Sequence, residues 1–347
     1  MRSNALYFPY IALPNDAWTA KALLYWDRLS SIVPMDHLHH PDQTSDFMRE
    51  LLAEGLVQPV IPAQYVYRIE RFDDSFIELI ESRLRRDRQR LVESFDAGTT
   101  TRIHAEKLGE IPRFLTKQGL AKQIDWAWYD VETGTANQFM SYLATCLGAI
   151  PEVDATPVTN KTAFARGLKP PYRQSAQYPL HKHKSREVVL KHLLPTPKEP
   201  VQLDKLLRFK QQYGQLLPPL RDRVEAHCTY VATLSDADQR IEANKAFLLE
   251  CRQQIAEIEE VMQPTLGKVV LGSLAPLFGA GFTVQATDSG NMVAYTGAAL
   301  TLAGAAYHAI ASVRGDGALQ NRPLAYVVHA SQAFSSAGRT AHLPPSS

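Results

Sequence analysis

The pattern of apolar and polar positions changes character twice along the chain. From residue 5 to about 165, short apolar runs alternate with longer segments of helical period. From 203 to 262 only the helical period remains, and between 266 and 313 polarity almost vanishes. The run 5–13 is apolar and aromatic, is punctuated by Pro9 and Pro14, and predicts a strand that ends near Pro14. Asn15 or Asp16 can cap the next helix, because a short acceptor side chain satisfies free first-turn amides. Leu23, Leu24, Trp26 and Leu29 give that helix its buried stripe, and 31–34 predicts a second strand. Strand, helix, strand argues for a partly parallel sheet.

The alternation continues with a helix over 45–56 ending at Gly55, a strand over 57–61 and a long helix over 73–95. An irregular helix is expected over 103–120, with Pro112 inside it. A strand over 126–131, a helix over 135–147 and a last strand over 156–158 follow. The fold class expected is α+β to α/β: a mixed N-terminal α/β domain over 1–165, then a mainly helical region over 203–334. A basic, proline-rich connector over 166–202 separates them, holding one short strand or helix at 188–194. A small, polar segment at 335–347 is expected to be a disordered tail.

The helical region predicts helices at 203–217 and 220–234, with Pro218-Pro219 breaking or restarting the pattern. Ser235, with Asp238 as its capping-box partner, is expected to open a helix running to Met262. Ile241, Leu248, Cys251, Ile255, Ile258 and Met262 recur at heptad steps, a seam that needs a partner helix. That partner is either the preceding helix, giving an antiparallel hairpin, or a second copy in a coiled coil.

The segment 266–313 consists of two apolar runs joined by Asp288-Ser289-Gly290. Each run has the length of a membrane-spanning helix, and Lys268 and Arg314 would flank such a hairpin on its cytoplasmic side. The high Ala and Gly content and Pro276 favour burial in protein instead. In either medium Gly279, Gly281, Gly297 and Gly304 allow close helix–helix packing.

Composition narrows the class of protein rather than its chemistry. Apolar residues make up 45% of the chain and charged residues 21%, as in folded proteins. The net charge of +1 provides no global attraction to nucleic acid or anionic lipid. The scattered cysteines Cys146, Cys228 and Cys251 suit buried free thiols in a reducing compartment. The first residues hold too short an apolar run for a signal peptide, so the expected location is the cytoplasm or the inner face of a membrane. The segments Leu6-Tyr7-Phe8-Pro9-Tyr10-Ile11, Ala22-Leu23-Leu24-Tyr25-Trp26-Asp27, Ile32-Val33-Pro34 and Leu193-Leu194-Pro195-Thr196-Pro197, the last followed by Leu203–Tyr213, resemble a bacterial protein family without an established activity. The resemblance implies a bacterial origin and assigns no catalytic residue.

Candidate chemistry is sparse. Asp36, His37, His39, His40 and Asp42 concentrate imidazoles and carboxylates that could bind a divalent metal, with His37, His39 and His40 as the ligands. The spacing matches no standard site, and solvated loop histidines are the simpler reading. Over 161–210, twelve Lys or Arg face only Glu187, Glu199 and Asp204. Lys182, Lys184 and Arg186 there, with Arg83, Arg86 and Arg90 on the long helix, are the candidate contacts to phosphate or nucleic acid. A solvated face is the simpler reading of both basic segments. Trp126, Trp128, Tyr129, Asp130 and Glu132 place carboxylates beside aromatics at a strand end, open to an acid–base role or to plain capping. No Walker A loop, GxGxxG, HExxH or GxSxG motif occurs, and no cofactor is implied.

These features lead to the expectation of a non-enzymatic interaction or effector protein, in the setting of stress or anti-phage defence. It would work through a protein partner or self-assembly, or at a membrane. The alternative is an enzyme or nucleic-acid-binding protein that grips phosphate through 161–210.

Overall fold

The computed structural model describes residues 2–40, 42, 44–165, 177–196, 202–262 and 322–334. The apolar pair 266–313 with its four glycines, the tail 335–347 and parts of the connector lie outside them. Among the described residues, no helix is long and apolar enough to cross a membrane.

Four parallel strands form the central sheet: β1 (Asn4–Tyr7), β2 (Arg28–Ile32), β3 (Val57–Val60) and β7 (Ala155–Val158), in the order β3-β2-β1-β7. Successive β-strand side chains face opposite ways, so one strand feeds two cores. Ala5 and Tyr7 enter the apolar cluster on one face, Leu6 and Phe8 that on the other. The second face is covered by α4 (Phe72–Asp96) and α7 (Thr133–Ala149) through Phe76, Ile80, Phe139 and Leu143. Gly148 lets α7 lie against β7, since a Cβ there would collide with the Ala155 carbonyl oxygen.

The first face carries α1 (Ala17–Tyr25) and α3 (Asp46–Ala53), and over them the C-terminal helices. These are α9 (Tyr178–Leu193), α10 (Leu203–Tyr213), α11 (Leu217–Thr233), α12 (Ala237–Met262) and α13 (Ala325–Phe334). The protein is therefore α+β, with a mixed N-terminal part on a parallel sheet and a mostly helical C-terminal part.

Several boundaries differ from the sequence expectation for identifiable reasons. The first helix stops at Tyr25, and Leu29 belongs to β2. Residues 100–104, expected in part as helix, form β4 (Thr100–His104), which pairs antiparallel with β6 (Trp128–Glu132). β5 (Ala121–Gln123) completes this second sheet, in the order β4-β6-β5. Short helices α5 (Ala105–Leu108) and α6 (Ile111–Lys117) follow β4. Pro112, Pro179 and Pro218 all lie in the first turns of their helices, where a missing amide costs nothing. The stretch expected as connector thus contains the 16-residue helix α9. Asp236, rather than Ser235, accepts the first-turn amides of α12. Leu248, Cys251, Ile255 and Ile258 of the α12 seam pack within the chain, where α12 meets α9, α11 and α13, while Ile241 is exposed; α11 takes α9 as its main neighbour, so the simple α11–α12 hairpin is replaced by a bundle.

The two parts meet at the C-terminal end of α1. The last carbonyls of a helix have no partner in the helix itself. Here Lys210 Nζ donates to the oxygens of Leu23, Trp26 and Asp27, at 2.8–3.0 Å. Tyr326 Oη donates to Leu24 O at 2.5 Å, and the Arg221 guanidinium donates to Tyr25 O at 3.2–3.3 Å. Beside them lies a buried ion pair. Glu225 accepts from Arg186 through both carboxylate oxygens, from Tyr25 Oη at 3.3 Å and from Lys182 Nζ at 3.2 Å. Arg186 also stacks over Trp26.

Burial by itself would raise the Glu225 pKa. The charge and hydrogen bonds of Arg186, with those of Lys182, outweigh it and hold the carboxyl at about 2. A carboxyl depressed on folding contributes stability above its unfolded value of 4.5 that is lost as pH falls towards about 2. Glu225→Gln, which leaves Arg186 buried without its counter-charge, is expected to lower unfolding stability by about 3–5 kcal/mol in denaturant titrations at neutral pH. It is also expected to flatten the loss of stability between pH 4.5 and 2.

Candidate functional site

The segments that leave the carboxyl ends of β2 and β3 meet the β4–α5 corner. Ligands of open parallel sheets gather at such carboxyl ends. Pro34, with extended backbone, turns the chain from β2 into the short helix α2 (Met35–His39), which carries Asp36 and His37. β4 delivers His104, whose Nδ1 caps α5 by accepting from Glu106 N at 3.3 Å. The Glu106 side chain reaches back, its Oε2 accepting from Met35 N at 2.8 Å. One carboxylate thereby fixes α5 against the first turn of α2.

These anchors bring donor atoms of Asp36, His37 and His104 within 4.8 Å of one another. The two imidazoles meet edge to face at 5.9 Å, and Trp128, which sits opposite His104 in the sheet, packs against both rings. His37 Nδ1 and His104 Nε2 are buried without a hydrogen-bond partner, and His104 as a whole is 4% exposed. Burial lowers the pKa of both histidines, and each also feels the charge of Lys107. Lys107 is itself buried, which pushes its ammonium down to about 8 against the opposing pull of Glu106.

Glu106 also lines a cleft of about 520 Å³. One wall is apolar, with Val66, Ile69 and Phe72, and Tyr67 stands at it, 79% exposed. Carboxylates of Asp73, Asp74, Glu106 and Glu110 supply the polar side. Asp73 Oδ1 and Glu106 Oε1 are buried oxygens without a partner. Burial raises the Asp73 pKa, and the charges of Glu110 and Asp74 add to that, against a backbone hydrogen bond from Glu110. Arg71, the cleft's cation, is engaged by Glu78 at 2.5 Å. At the sheet's switch point, between β1 and β7, Phe164 instead packs against Phe8 and Tyr10.

The residues singled out in the sequence separate accordingly. His37 joins the half-buried cluster with Asp36 and His104, whereas His39 and His40 are exposed; His40 Nδ1 lies 3.0 Å from Asp36 Oδ1. Lys182 and Arg186 bind Glu225, and Lys184 is exposed. Arg83 approaches Glu132 at 3.7 Å, while Arg86 and Arg90 stand on the outer face of α4. The two basic groups lie on different helices, α4 and α9, and the most buried residue, Arg186, is paired with Glu225. Asp130 pairs with Arg102, and Glu132 caps α7, which accounts for those carboxylates without acid–base chemistry. Sequence reasoning missed His104, Glu106 and Asp73. The only available signal was the β-branched run Thr99-Thr100-Thr101 before Ile103-His104, which marks a strand ending at that histidine.

Comparison of the chain with protein-family models, curated proteins and solved structures returns no match.

Gly109 tests how tightly the cleft is built. Its φ of +56° with ψ of −130° is a conformation other residues avoid, and an added Cβ would stand 3.0 Å from Asp73 Oδ1. Gly109→Ala is expected to lower stability by about 1–3 kcal/mol, read as the shift of a urea unfolding midpoint.

Proposed function

We propose that this chain is a non-enzymatic interaction or effector protein whose α/β part binds a small, amine-bearing ligand in the cleft beside α5. The observation that carries this reading is the pair of buried, unpartnered carboxylate oxygens, on Asp73 and Glu106, lining a cleft with an apolar wall. A buried acceptor without a donor costs about 1–3 kcal/mol, and a ligand ammonium would relieve it. The apolar wall suits a hydrocarbon or aromatic body attached to that ammonium. The helical part would then serve assembly, since Ile241 and Leu249 on α12 are exposed. Gripping phosphate through the basic segment has less support, because Lys182 and Arg186 are held by Glu225.

Isothermal titration of the full chain with tyramine, agmatine and spermidine tests the reading. At least one is expected to bind, with affinity reduced about tenfold or more in Asp73→Asn, the loss of one charge-assisted hydrogen bond. Absence of heat with all three, or affinity unchanged in Asp73→Asn, would remove it.

A further inference from the structure

We infer that Asp36, His37 and His104 form a binding site for one divalent transition-metal ion, separate from the carboxylates proposed to hold an amine. The argument begins with the donor set. Two imidazoles and one carboxylate favour zinc, cobalt, nickel or ferrous iron over magnesium or calcium, which prefer oxygen alone. The three donors already lie within 4.8 Å of one another, although they come from two separate stretches of chain. Ligands about 2.0–2.2 Å from a shared ion stand roughly 3–3.5 Å apart, so small side-chain rotations close the site.

The second argument is the cost of the arrangement as it stands. His104 is 96% buried by difference from its 4% exposure, and its Nε2 has no partner; neither has His37 Nδ1. An unsatisfied buried polar atom is costly, and here two such nitrogens belong to one cluster. The rings are also braced against collapse. Trp128 packs against both, and the Glu106 carboxylate fixes α2 by accepting from Met35 N. His40 Nδ1 lies 3.0 Å from Asp36 Oδ1, an outer-sphere arrangement that orients a ligating carboxylate.

Two groups oppose the ion. Lys107 is a buried ammonium on the same turn, offset by Glu106. The Glu106 amide, 3.3 Å from His104 Nδ1, favours the tautomer with the proton on Nε2. Ligation through Nε2 moves that proton to Nδ1, with no net release, and the ring then gives up the hydrogen bond that Nδ1 accepts from the Glu106 amide.

The test is titration of the full-length protein with Co²⁺, followed by visible absorption. One equivalent is expected to give the d–d bands of a site with fewer than six ligands. Zn²⁺ should abolish them and excess Mg²⁺ should not. His104→Gln and Asp36→Asn are expected to weaken binding at least tenfold, while His39→Ala, which alters an exposed imidazole, leaves it unchanged. Zn²⁺ should also raise the Tm of the parent protein but not of Asp36→Asn, since only an ion bound to the folded state stabilises it. Asp36 is half-buried, so this variant keeps the comparison meaningful if His104→Gln fails to fold. Absence of bands in the parent, Co²⁺ affinity unchanged in Asp36→Asn, or bands lost in His39→Ala would overturn the assignment. Amine binding is read separately through Asp73→Asn, so either proposal can fail alone.

Discussion

The C-terminal end of α1 is the constraint on which the rest of the structure depends. Three of its carbonyls, on Leu23, Leu24 and Tyr25, accept from side chains of α10, α11 and α13. Lysine and arginine at this point also oppose the negative end of the helix dipole. The adjoining Arg186–Glu225 pair brings α9 and α11 onto the same corner. Buried ion pairs are poor sources of net stability, but they are unforgiving of misplacement, because either charge left alone in the core is very costly. The network therefore acts as a locating device for the helical part on the sheet, while apolar burial supplies most of the driving force.

This division of labour leaves the opposite region free for binding. The histidine cluster and the cleft are built from turns after β2, β3 and β4, with Glu106 common to both. They sit where strand ends and short helices expose polar groups that no regular ladder can satisfy. Trp128 and the Glu106–Met35 bond hold these turns in place. The polar atoms left unpaired at this corner are thus held by packing that specifies everything around them.

What could be read from the sequence follows from the range of the forces involved. Asp16 as a helix cap, Gly55 after α3 and the strands β3 and β7 are local patterns that the structure contains, whereas the strand expected over 5–13 ends at Tyr7 and the one expected over 31–34 begins at Arg28. β5 has only three residues, too few for an alternation to register, and β4 ends where helix-forming residues begin. α9 hid behind its own composition, since a run of Lys, Arg and His resembles a solvated segment until Glu225, 39 residues away, neutralises its buried arginine. For the same reason His37 was visible as a candidate ligand but its companion was not. His104 lies 67 residues further on, and only the packing of β4 against α2 makes them neighbours.

The bonds that finish α1 also set an order on the life of the polypeptide. Leu24 receives its donor from Tyr326, 302 residues later. At translation speeds of roughly 5–20 residues per second, the N-terminal half waits about 15–60 s on the ribosome for that hydroxyl to be made. Until α13 is made, Leu24 O lacks that donor, and the part of the apolar cluster that Tyr326, Val327 and Phe334 complete stays open. A nascent chain in that condition is a natural client for a chaperone that shields apolar surface, and a premature stop before α13 would leave that part of the cluster open permanently.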